Sequence, residues 1–186
     1  MYRTRNLVLS GMFAALLAAI SQISIPLPTG VPLTIQVFGV ALIGSVLGWK
    51  LGTLSIFTYI LLGAVGIPVF SNFRGGLGLL MSVTGGYIWS WPIMSIFCGI
   101  SLHTKNPTLN LILRLIFALL GLAIVEIIGG LQWSALAGNL PLKTVFWYSV
   151  TAFVPKDIAL TILAVLFSKR VRKLTDSAAI RPYFLQ

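Results

Sequence analysis

Glu126 and Asp157 are the two acidic side chains that fall inside a chain otherwise built for lipid; the third acid, Asp176, belongs to a polar C-terminal tail. A carboxylate at membrane depth is costly unless a partner or a water-lined cavity receives it, so both acids are candidates for work on a ligand or a proton. Asn72, Arg74 and Lys156 supply complementary groups. The amide can donate or accept, the guanidinium can grip a carboxylate at two points, and the ammonium carries three N–H donors. Such a set suits holding a small polar solute better than breaking a bond.

Catalytic and metal chemistry find little support. Cys98 is the single cysteine, so no disulfide framework and no thiol-based metal cluster can be built. His103 is the single histidine and falls in a loop. An intramembrane enzyme needs a nucleophile–base pair or metal ligands within its helices, and neither residue is placed for that. No catalytic residue, metal ligand or cofactor is expected. The glycines of Ser71–Gly78 lack a following Lys-Ser/Thr and follow no strand, which argues against a phosphate-binding loop.

The elements that must position these groups are apolar helices. Hydrophobic residues make up 58% of the 186-residue chain and charged residues 9%, with a mean hydropathy of +1.00, outside the range of soluble domains. Crossing a bilayer takes about 20 apolar residues. Candidate spans are Leu7–Ile25, Val31–Trp49, Gly52–Val69, Thr84–Leu102 and Leu109–Gly129, with a sixth in the Thr144–Val171 region. The expectation is an all-α polytopic membrane protein of six transmembrane helices, forming one domain over residues 1–186.

Charge sets its orientation. Arg3, Arg5, Lys50, Lys105, Lys169, Arg170, Arg172, Lys173 and Arg181 fall in the termini and the two even-numbered loops, which share one side of a six-span protein. Only Arg74 and Lys143 fall in the opposite loops. The excess of Lys and Arg marks the cytoplasmic side, so both termini are expected there. The net charge of +10 is therefore a topology signal with some affinity for lipid headgroups, not a nucleic-acid surface. The first apolar stretch has no convincing cleavage site before Pro26 and reads as a retained helix.

Local patterns refine this picture. Ile25–Pro32 contains three prolines and cannot be helical throughout. Thr34 and Gln36 follow it near the outer end of helix two, about 200° apart on a helical wheel, so one would face a cavity while the other packs. Ser71–Gly78 reads as a lid or cavity floor carrying Asn72 and Arg74, the plainer alternative being a flexible loop. Pro155 marks the start of the last helix, which puts Lys156 and Asp157 in its first turn, where the helix dipole favours an anion. Thr144–Phe153 would then be a separate outer or re-entrant helix. Glu126 pairs with a basic neighbour such as Lys156, or serves the cavity. Gly11, Ala15 and Ala19 form a small-residue ridge with Ala14 and Ala18 beside it; such ridges let another helix come close, inside the domain or from a partner.

Five ordered segments carry a resemblance: Val31–Gln36, Leu62–Phe70, Gly75–Gly78, Thr84–Tyr87 and Phe153–Asp157. Together they resemble BioY, the biotin-specific substrate-capture subunit of energy-coupling-factor (ECF) importers, over nearly the whole chain. The resemblance implies a multi-pass protein of the bacterial cytoplasmic membrane, itself no enzyme, with biotin as its transported ligand. It also implies partners: a transmembrane scaffold subunit and two ATP-binding-cassette ATPases, docked through helix one, where Gly11, Ala15 and Ala19 match the family's small-residue motif. The family's site aspartate falls on Asp157; Lys156 replaces a family glycine, and Leu160 stands where a lysine is common.

On that resemblance, biotin binds at the outer ends of the helices. Asp157 accepts from its ureido ring and Asn72 donates or accepts there. Tyr87, Trp89 and Trp133 wall the ring and chain, with Thr34 and Gln36 nearby. Arg74, or alternatively Lys156, meets the carboxylate. The rival reading is a stand-alone proton-coupled transporter of a carboxylate-bearing solute, with Glu126 and Asp157 as proton carriers; its usual internal symmetry is not visible in the sequence.

Overall fold

The structure is a computed structural model and describes residues 2–100, 105–138 and 141–177; His103 and Arg181 lie outside these. Helix α1 spans Tyr2–Ser21, α2 Gln36–Ala64, α3 Leu77–Leu80, α4 Gly85–Gly99, α5 Pro107–Leu136, α6 Leu142–Ala152 and α7 Val154–Ser177. Thr4–Ser21 and Pro107–Leu136 are unbroken helices long and apolar enough to cross a membrane, and the 29-residue Gln36–Ala64 segment reaches that length only as a whole. A fourth such segment is formed by α6 and α7 together, bent by 46° at Phe153. The predicted helical membrane protein is therefore present in its coarse form.

The 29-residue helix α2 is not one rod. Gly48 has a φ of 78°, a left-handed conformation in the middle of the segment, and glycine reaches it without a Cβ penalty. In a straight helix residues 36 and 59 would stand about 34 Å apart. Instead, Nε2 of Gln36 donates to the Tyr59 hydroxyl at 3.2 Å, so the chain reverses at Gly48 and its two arms, 36–47 and 49–64, lie side by side. A Cβ on Gly44 would come within 2.5 Å of the Ser95 carbonyl oxygen, and one on Gly52 within 2.9 Å of Gly44 Cα. The bare glycine surfaces let the two arms and α4 pack backbone to backbone. Among the described residues the rods are α1, the two arms of α2, α4, α5 and α7, with the shorter α6 between α5 and α7.

Helix two is shorter than its apolar run suggested. Leu33–Thr34 (β2) pairs antiparallel with Ser24–Ile25 (β1), in the register Ser24↔Thr34 and Ile25↔Leu33, so Val31–Ile35 is not helical. The prolines around this ribbon deny the helix its hydrogen bonds, which makes the all-α description incomplete by one two-stranded turn. Helix α5 starts where Asn106 caps it, its Oδ1 accepting from the Thr108 and Leu109 amides at 2.9 and 3.4 Å, with Pro107 in the first turn. It runs beyond the predicted Gly129 as far as Leu136. Pro155 lies in the first turn of α7, as its preference for that position leads one to expect.

The core runs the length of the bundle and includes Leu17, Ile43, Ile56, Ile60, Met94 and Val125. Large apolar residues such as Leu7, Ile112, Ile116 and Phe167 face outwards, as they must on rods surrounded by lipid. Ala14 is buried in the core, whereas Gly11, Ala15 and Ala19 are exposed. Of the two small-residue ridges on α1, one packs inside and the other is presented outwards.

Candidate substrate-binding site

One end of the bundle holds a cavity of about 60 Å³ that opens into a wider mouth. Its walls come from β2 and the start of α2, the segment before the 3-10 turn Ser71–Phe73, the first turns of α4, the middle of α5 and the start of α7. Phe70, Ile88, Trp91 and Phe153 provide apolar surface, and Thr34, Gln36, Tyr87, Glu126, Lys156 and Asp157 gather as its polar groups.

Tyr87 and Glu126 become neighbours through a close helix contact. A Cβ on Gly86 would stand 2.7 Å from the Ile128 carbonyl oxygen and 3.0 Å from Gly129 Cα, so the start of α4 lies directly on the backbone of α5. The Tyr87 ring fills the space that a side chain at Gly129 would need. The Tyr87 hydroxyl shares a hydrogen bond with Ser149 Oγ at 3.0 Å, tying the site to α6. Gln36 is held from behind by Tyr59, which is fully buried, lies 2.8 Å from Ser21 Oγ and donates to the Val69 carbonyl at 3.1 Å. One tyrosine thus fixes α1, both arms of α2 and the chain entering the 3-10 turn.

Lys156 and Asp157 form an ion pair at the cavity wall, with the Asp157 side chain 5% exposed and that of Lys156 25%. Lys156 Nζ also donates to the Thr34 carbonyl at 2.7 Å. An ammonium has three donors, so one remains for a ligand after these two partners. The Glu126 carboxyl lines the same cavity wall as Asp157. A lone carboxylate here would be expensive, whereas a carboxylate held by Lys156 is a fixed acceptor facing the cavity. The arrangement presents acceptors and a donor side by side within an apolar pocket. Such a wall can hold a polar group that both donates and accepts hydrogen bonds.

Several placements differ from the reading of the sequence. Thr34 and Gln36 both line the cavity, because Thr34 sits in the extended β2 and the helical-wheel argument does not apply to it. The ion-pair partner of Lys156 is Asp157 and not Glu126. Asn72 and Arg74 are exposed beside the cavity and do not line it; the adjacent Phe70 and Ser71 do. Asn72 adopts a φ of 58°, its Oδ1 accepts from Ser24 Oγ at 2.9 Å, and Arg74 Nε donates to the Ser71 carbonyl at 3.3 Å. Trp133 is buried in a second apolar cluster with Val31, Val145 and Phe153, supporting the wall from behind. Trp89 is turned away, its Nε1 donating to the Leu80 carbonyl at 3.2 Å.

Phe70, Trp91 and Phe153 escaped the sequence reading as site residues. Each sits within an apolar run that looks the same whether it faces lipid, core or ligand. Gln132 was missed as well: its Nε2 donates to the Leu80 and Ser82 carbonyls at 3.2 and 2.8 Å, pinning the turn that precedes α4.

Known proteins resemble this chain in both sequence and structure. Residues 1–177 match the BioY family. The chain is 37% identical over 170 residues to a Pyrococcus horikoshii protein described as a probable biotin transporter BioY, covering 91% of this chain and 98% of that one. It is 35% identical to the biotin transporter BioY of Thermotoga maritima, covering 91% and 97% of the two chains. A solved S-component for biotin from an ECF-type ABC transporter superposes with a TM-score of 0.79 at 28% identity, covering 92% of this chain and 93% of that one. Matched by the family over residues 1–177 and similar to these relatives over nine-tenths of its length, the chain belongs to the BioY family.

Proposed function

We propose that this chain captures biotin in the cavity at the Lys156–Asp157 pair and serves as the substrate-specific subunit of an ATP-driven importer of the ECF type, in the bacterial cytoplasmic membrane. The observation that carries the reading is the pairing of a fixed carboxylate acceptor with an ammonium donor in an otherwise apolar cavity. A cyclic urea carries N–H donors beside a carbonyl acceptor and complements that pair. The carbon-rich remainder of biotin matches Phe70, Trp91 and Phe153. The relatives are transporters by name, and ATP hydrolysis falls to partner ATPases acting through a transmembrane scaffold subunit.

With the ring at Lys156 and Asp157, the valerate chain extends towards the mouth, where Arg74 is exposed. Arg74 then meets the carboxylate, and Asn72, tied to Ser24, shapes the rim. Equilibrium binding of radiolabelled biotin to the purified protein tests the assignment. Saturable binding is expected, with biotin amide competing less well than the acid in the wild type and equally well in Arg74→Ala. Absence of saturable binding overturns the function; an undiminished preference for the acid in Arg74→Ala overturns the role of Arg74.

The cavity opens outwards in this reading, all six rods cross the bilayer, and both termini are cytoplasmic. Nine basic residues in the termini and even-numbered loops against two opposite support that orientation. A single cysteine placed at Lys169 in a Cys98→Ser background is expected to resist a membrane-impermeant thiol reagent on intact cells. Labelling there would reverse the topology.

A further inference from the structure

Among the described cavity-lining residues, Glu126 has a buried side-chain oxygen without a hydrogen-bond partner. It comes from α5, whereas Lys156 and Asp157 come from α7, and it lines the same cavity as they do. Its Oε2 is buried, and no N–H or hydroxyl among the described residues reaches it. It and Asp157 line one cavity wall, so two groups rich in acceptors share that wall with the Lys156 ammonium bonded to only one of them. Two such carboxyls need donors between them. Behind Glu126 lies a second, mainly apolar cavity between α5, α6 and α7, lined also by Ile127, Leu131, Phe146 and Lys143. Glu126 therefore stands in the wall shared by the two cavities, with Lys143 as the only cation lining the outer one among the described residues.

We propose that Glu126 is a specificity-determining ligand contact: it accepts one ureido N–H of the substrate while Asp157 accepts the other and Lys156 donates to the ureido carbonyl. This deepens the biotin reading and rests on it. A cyclic urea has two N–H groups flanking one carbonyl, and the wall offers two carboxyls flanking one ammonium donor. An enclosed carboxyl left without a donor is destabilising, and the ligand's N–H relieves it. A ring with one N–H replaced leaves one carboxyl unsatisfied, so the site rejects close relatives of its substrate at this position. The competing role is structural, with Glu126 a counter-charge for Lys143 across the second cavity.

Two isosteric analogues separate these roles: cyclic carbamates of biotin in which one or the other ureido N–H is replaced by a ring oxygen. Wild type is expected to bind each about 30-fold more weakly than biotin, the loss of one hydrogen bond to a charged acceptor. In Glu126→Leu, biotin itself should bind about 30-fold more weakly, and discrimination against one of the two carbamates should disappear while that against the other persists. Glu126→Gln keeps an acceptor oxygen and should restore the discrimination. If Glu126→Leu does not yield folded protein, Glu126→Asp, which withdraws the acceptor by one methylene, should lose the same discrimination. Wild-type discrimination against both carbamates that survives in the Leu or Asp variant overturns the contact, as does a loss equal for biotin and both analogues, the result a structural role predicts. A wild type that does not bind biotin overturns this proposal and the functional reading together. Binding with unaltered discrimination overturns this proposal alone.

Discussion

Asp157→Asn is expected to weaken biotin capture about 100-fold or more, roughly 3 kcal/mol, while leaving a folded protein in the membrane. The side chain is nearly enclosed and its carboxylate is held by Lys156. Replacing one oxygen by an amide nitrogen changes the shape little. It removes the charge that compensates the ammonium, however, and places a donor where the ligand's own N–H must arrive. The lost acceptor and the unmatched cation act in the same direction. Lys156 keeps its bond to the Thr34 carbonyl, so the start of α7 stays tied to β2 and the fold has no reason to fail. Radiolabelled biotin binding to the purified variant, with thermal melting in the same detergent, measures both quantities. Near-wild-type affinity would remove Asp157 from the site. Lost binding with a collapsed melting transition would make it structural.

How much of this was legible in the sequence follows from what each signal encodes. Apolar run length revealed the rods, and Lys50 between two runs marked where the chain turns. Pro155 gave the start of α7 because a proline constrains its own neighbourhood whatever surrounds it. The site itself is assembled from five separated segments, and which side of each rod faces inwards is settled by contacts between rods. Gly86 against Gly129 is such a contact: without it Tyr87 would not lie beside α5, yet in sequence these are only two glycines among eighteen. Thr34 was misjudged because a helical wheel was applied to a residue that pairs with Ser24 in a ribbon. Trp133 and Trp89 were natural choices by residue type, but one packs behind the wall and the other bonds away from it. Glu126 stood out as a carboxylate in lipid. Only the geometry shows that Lys156 pairs with Asp157 instead.

Ala15→Trp is expected to abolish ATP-dependent biotin uptake and co-purification with an energy-coupling module while sparing biotin capture. Gly11, Ala15 and Ala19 recur at four-residue intervals and all three are exposed, and an added Cβ at Gly11 would meet nothing within 4 Å. They form a shallow groove on the outside of α1, and small residues at that spacing let a second helix approach closely. The core is served by a different face of the same helix, where Ala14 and Leu17 are buried. An indole at Ala15 would therefore project away from the protein's own interior and block an incoming helix. The cavity draws none of its lining residues from α1, so capture should persist. Loss of both binding and uptake would mean that the ridge supports the fold. Intact binding with intact uptake would mean that no partner docks there, and if that uptake then collapsed with a protonophore at constant ATP, the Glu126–Asp157 pair would become the carrier of a proton-coupled transporter. Retained capture with lost uptake fits only docking, because a groove that merely faced lipid would tolerate a tryptophan without consequence.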